Sequence, residues 1–136
     1  MLGFTSTVRS SIVSKVDGKK GELVASTVYV VQENSQVNML PATQWGKIRI
    51  LIPEDRQITF SPDDAVLRMK HALKDFTRDD FVLALGDPTA IGIACAVAAN
   101  KTGGFFSMLK WDRQQRCYYR VDVDLNVGGE FNADDV

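Results

Sequence analysis

A chain of 136 residues, 45% apolar and 24% charged, is long enough for one domain with its own core, and this composition excludes disorder and a membrane-embedded class. Sixteen Lys and Arg against seventeen Asp and Glu leave a net charge of −1, which removes the usual electrostatic footing for nonspecific nucleic-acid binding. Two cysteines, Cys95 and Cys117, are too few for a disulfide scaffold, and with the single His71 they supply no ligand set for a structural metal.

The first 24 residues are rich in Ser, Thr, Lys and Gly and lack the uninterrupted apolar core of a signal peptide. They are expected to form an arm or a hairpin turning at Asp17-Gly18. The folded part is expected over residues 25–126, with residues 127–136 as a tail loosely held or docked by Phe131. Thr27 to Gln32, TVYVVQ, is β-branched and aromatic and reads as a strand. A polar loop follows. KIRILI, Lys47 to Ile52, then sets Ile48, Ile50 and Ile52 on one face and stops at Pro53, which reads as a half-buried strand.

Ser61-Pro62-Asp63-Asp64 is a helix start: a capping hydroxyl, a proline suited to the first turn and two acids at the positive end of the dipole. Val66, Met69, Leu73 and Phe76 form its apolar stripe, with His71 outside it as a solvated side chain. Phe81 to Leu85 is apolar throughout, as expected of a central strand buried on both faces. The helix from Pro88 to about Lys101 is made of small residues and is apolar on both sides, so it needs deep burial or a covering partner. The longest apolar segment, Ala90 to Ala99, is about half the length of a membrane span.

Phe105 to Trp111 and Cys117 to Leu125 complete the pattern as a hairpin. In the second of these strands Cys117, Tyr119, Val121, Val123 and Leu125 are expected to face the core, and Tyr118, Arg120, Asp122 and Asp124 solvent. The order β, β, α, β, α, β, β implies a single small α/β domain. Its expected form is a mixed sheet of about five strands with three central parallel strands, two main helices and a C-terminal β-hairpin. Two helices cannot cover both faces of such a sheet, so the second face should be closed by the N-terminal segment, by loops or by another subunit.

Three constellations could carry function. Gly86, Asp87 and Thr89 lie at a strand-to-helix turn, where free backbone N–H groups can hold a phosphate or nucleotide. Neither G-x-G-x-x-G nor Gly-Lys-Ser/Thr is present, however, and Asp87 is placed to cap the helix and repel an anion. Asp122 and Asp124 lie about 7 Å apart on one strand face, a spacing that can share a divalent cation but is commoner on a solvated surface beside Arg120. Trp111, Arg113, Arg116, Tyr118 and Arg120 combine aromatics with arginines at the hairpin, a composition enriched at protein-contact hot spots and at base-stacking platforms. No nucleophile–base pair is recognisable, and Cys95 sits in an apolar helix that disfavours a thiolate. No catalytic residue, cofactor or metal is expected.

The segments LPATQWGKIRILIP, FVLALGDPTAIGIACAVAANKTGGFF and LKWDRQQRCYYRVDVDL resemble, over residues 38–125, a small uncharacterised protein of tailed bacteriophages, marine ones included. The resemblance supplies no site residues. It implies a viral origin and action in the cytoplasm of an infected bacterium. Together with the scarce helical cover, it favours a non-enzymatic protein that binds a protein partner or itself. A nucleotide- or phosphate-ligand domain at the Gly86 turn, and a nucleic-acid-binding module at the arginine-rich hairpin, are the alternatives.

Overall fold

A computed structural model describes residues 15–16, 23–56 and 62–135. Seven strands are present among these residues. β1 (Lys15–Val16) and β2 (Leu23–Val24) pair antiparallel as a separate ribbon. The Asp17-Gly18 turn proposed between them, the rest of the N-terminal arm and the Ser61 cap lie outside the described residues. The main sheet holds β3 (Thr27–Gln32), β4 (Lys47–Ile52), β5 (Phe81–Leu83), β6 (Phe105–Asp112) and β7 (Cys117–Asp124) in the order β4-β3-β5-β6-β7. Helix α1 (Pro62–Ala72) joins β4 to β5, and α2 (Pro88–Lys101) joins β5 to β6. This is the expected five-stranded mixed sheet with two main helices and a C-terminal antiparallel pair.

Four strands run parallel rather than three, because β3 pairs parallel with both β4 and β5, and β5 with β6. The additional parallel pair comes from the β3–β4 connection. Sequence reading treats it as a polar loop, yet parallel neighbours require a crossover of a dozen or more residues. Residues 33–46 supply it, with a 3-10 turn at Leu40–Gln44 started by Pro41.

The direction of each crossover decides the layering. From β4 to β5 and from β5 to β6 the chain moves the same way across the sheet, and right-handed crossovers then put both helices on one face. The step from β3 to β4 runs the other way, so its connection falls on the opposite face. Side chains follow that rule. Tyr29, Val31 and Val82 pack with Met69, Leu73, Phe76 and the Ala90/Ala94/Ala98 stripe of α2 on the helical face. Val28, Val30, Phe81, Leu83 and Leu109 pack with Ala42 and Trp45 on the other. A loop therefore closes the second face, centred on Trp45, 1% exposed and edge-on to Phe81 at 5.4 Å between centroids.

That cover is incomplete. It packs against Ile48 but leaves Ile50 41% exposed, although alternation in KIRILI places both on the core face. It also buries Tyr118, which strict alternation in β7 assigns to solvent. β5 is buried at all three positions, as its unbroken apolar run requires of a central strand.

Candidate functional site

The turn after β5 is built as a corner. Gly86 has φ +109, and a Cβ there would meet Cβ of Gln32 at 2.3 Å, so conformation and space both demand glycine. Gln32, at the end of β3, stitches the turn down. Its backbone N–H donates to the Leu85 carbonyl at 2.9 Å, and its Oε1 accepts from the Asp87 N–H at 3.0 Å. Its Nε2 donates to the Arg56 carbonyl at 3.0 Å. Asp87 is the N-cap of α2 and accepts from the Ala90 N–H at 3.0 Å, while Pro88 has no N–H to give. Of the residues assigned to a phosphate, Gly86 shapes the turn and Asp87 fills it with its own carboxylate. Thr89 is exposed in the first helical turn. A phosphate here would meet a negative charge and few open donors.

The hairpin end is different. β6 outlasts the short β5, so beyond Leu83 the sheet opens between the β5–α2 turn and the end of β6. Two adjoining cavities of about 340 and 530 Å³ share Leu85, Trp111 and Tyr118. The larger is completed by Gln36, Val37, Asn38 and Pro41 of the β3–β4 connection and by Arg116. Trp111 packs edge-on to Tyr118, centroids 4.9 Å apart, yet stays 40% exposed while Tyr118 is 5% exposed. Tyr118 thus holds a rigid indole at the rim. Burial pushes its phenol above the ordinary 10.0, so it remains a protonated donor at neutral pH.

Arg116 closes the hairpin loop with φ +53, a left-handed conformation uncommon for a side chain of this size. The loop is tied by Asp112, whose Oδ1 accepts from the N–H groups of Gln114 at 2.8 Å and Gln115 at 3.0 Å. That carboxylate is engaged by the turn, and Lys110, Arg113 and Arg116 leave the hairpin end positive.

The five surface residues expected to act together divide. Trp111, Tyr118 and Arg116 line the groove, and Arg113 stands exposed in the adjoining loop. Arg120 does not join them. Its guanidinium lies over the Phe81 ring at 5.6 Å and its Nε pairs with Asp122 at 2.6 Å. Ser107 Oγ donates to the same carboxylate at 2.7 Å. Burial pushes the Asp122 carboxyl up, but the hydrogen bonds from Arg120 and Ser107 and the charge of Arg120 outweigh it and hold it below the ordinary 3.8. Asp122 is therefore a half-exposed carboxylate engaged by Arg120 and Ser107, and among the described residues no group of three His, Cys, Asp or Glu side chains is placed to hold a metal. Burial raises the Cys95 thiol, which opposes thiolate formation.

Sequence reading missed the contribution of residues 36–41 to the groove, because only the parallel register of β3 and β4 carries that connection over the second face. Its signal was Leu40-Pro41-Ala42-Thr43-Gln44-Trp45, a proline-initiated turn ending in a large aromatic.

A scan against protein-family models matches residues 26–125 to Phage Pam3 gp32-like protein. The chain belongs to that phage family. The match takes in every strand of the main sheet, both helices and the whole groove. Neither a search of curated proteins nor a search of solved structures returns a match. No helix among the described residues is long and apolar enough to cross a membrane.

Proposed function

We propose that this phage protein works without catalysis in the infected cell, through protein–protein contact at the groove between the β3–β4 connection and the β6–β7 hairpin. The observation that carries this reading is Trp111, a half-exposed indole braced by a buried tyrosine beside Arg116. Tryptophan, tyrosine and arginine are the residue types on which interface energy concentrates, above all where a rigid anchor borders an apolar pocket. Val37, Pro41 and Leu85 make the floor apolar, and Arg116 adds a cation at its edge. The chemistry that fits is a peptide segment with one large apolar anchor and a flanking carboxylate.

Site-directed photo-crosslinking during infection tests the reading. A crosslinking residue at Gln36, which lines the groove, is expected to give discrete protein adducts, and one at the exposed Lys74 is not. Adducts no stronger from Gln36 than from Lys74 would remove the groove as a contact surface.

A further inference from the structure

The chain carries its own candidate for the segment described above. After Arg120 there is no Lys or Arg, and beyond Asp124 come Glu130, Asp134 and Asp135. Within that acidic stretch Leu125, Val127 and Phe131 stand 66%, 77% and 79% exposed. Single exposed apolar side chains need no explanation, but three within a short acidic tail form an apolar sequence looking for a cover. Leu125, expected on the core face of its strand, lies beyond the end of β7 and is exposed, and of the two expectations for the tail, loosely held or docked by Phe131, the docked one is not met.

The root of the tail is fastened. The Leu125 N–H donates to the Gly104 carbonyl at 2.8 Å, Asn126 Nδ2 to the Gly103 carbonyl at 2.7 Å, and the Asn126 N–H to Asp124 Oδ1 at 2.9 Å. This anchor lies at the far end of the hairpin from the groove. Register pairs Phe105 with Asp124 at the tail end and Asp112 with Cys117 at the groove end. Seven strand rises separate Cys117 from Asp124, about 24 Å. From Val127 to Phe131 a fully extended chain covers only about 14 Å. Phe131 would need a fully extended tail to approach Trp111 and Tyr118 of its own subunit, and it stands 79% exposed instead.

We infer that the tail of one copy docks in the groove of a second copy, with Phe131 against Leu85, Trp111 and Tyr118 and Glu130 facing Arg116. The inference rests on the groove being a protein-contact surface, and it names the occupant. Charge supports it, because the tail is acidic without a basic residue and the hairpin end carries Lys110, Arg113 and Arg116. Tail and groove are different surfaces at opposite ends of one molecule, so the contact is head-to-tail and repeats from copy to copy into a ring or an open filament.

Sedimentation equilibrium of the full chain over a wide concentration range tests it. The mass is expected to rise with concentration and to fall with added salt. Phe131→Ala and Trp111→Ala are each expected to weaken association about tenfold or more, the usual scale for a contact anchor. Glu130→Lys and Arg116→Glu are each expected to weaken it, and both on one chain to restore it. Circular dichroism confirms folding of each variant, and the two charge variants alter exposed positions outside the core. A chain monomeric at every concentration overturns the inference, as does assembly indifferent to Phe131→Ala or not rescued by the charge swap. If Gln36 still crosslinks to other proteins in those cases, the tail is excluded while the groove reading survives. If it gives no adducts, both fall.

Discussion

Asp80 shows how one side chain can set the start of a sheet. It is fully buried one residue before β5, where Oδ1 accepts from the Thr27 N–H at 2.9 Å and Oδ2 from the Thr77 N–H at 2.8 Å. Val28 pairs with Phe81, so the carboxylate ties β3 to the turn ahead of β5 where their ladder begins. Asp80→Ala would strand at least two backbone donors, and urea unfolding should show a loss of about 3 kcal/mol. Asp122 gives a prediction in pH. Its folded-state carboxyl is held below 3.8, so its contribution is present above that value and lost as pH falls through the lower, folded one. Stability curves of the native chain and Asp122→Asn should therefore differ at neutral pH and converge below 3.8 in acid titrations followed by circular dichroism. Arg116 pulls stability and contact apart. Its φ of +53 costs about 1 kcal/mol for a non-glycine residue, so Arg116→Gly should raise the melting temperature while weakening binding at the groove.

At the scale of elements, α2 explains both what the chain discloses and what it hides. Its run of Ala and Gly announces a close-packed helix, and Ala90, Ala94 and Ala98 do lie buried against the sheet, 1%, 0% and 0% exposed. Gly92 and Ala96 face outward, so the second apolar side is small residues in solvent. Ala94→Leu should overpack the sheet contact and cost about 1–3 kcal/mol. Gly92→Ala, with no atom within 4 Å of the added Cβ, should stabilise by about 0.5–1 kcal/mol. Chemical denaturation of the two variants reads the inside and the outside of one helix. Strand and helix positions were legible for the same kind of reason: TVYVVQ, KIRILI and the proline-started helices carry their geometry in a local period. The parallel pairing of β3 with β4 was not, because a short 3-10 connection has no period and its direction is fixed only by the sheet it crosses. The groove inherits that split. Trp111, Arg116 and Tyr118 could be named from the hairpin alone, whereas Gln36 to Pro41 reach them only through the topology.

In the whole molecule, one sheet separates two cores of unequal cover. The helical side has α1 and α2, and the other has a single loop whose largest anchor is Trp45. The two sides are not independent, since β3, β5 and β6 present alternate residues to each: Tyr29 and Val31 to one, Val28 and Val30 to the other. Losing either cover removes the reason for those strands to pair. The thin side should therefore melt with the thick one rather than before it. Trp45→Ala should cost about 3–5 kcal/mol, as for a large aromatic in any closed core. In a Trp111→Phe background, where Trp45 is the only remaining tryptophan, fluorescence reports the loop-covered face and far-ultraviolet circular dichroism reports the whole backbone. The two urea transitions should coincide, with one midpoint and one slope. A fluorescence transition at lower urea would mean that the loop detaches as a separate unit. The groove it lines would then be a mobile surface and not the rigid one that a braced Trp111 implies.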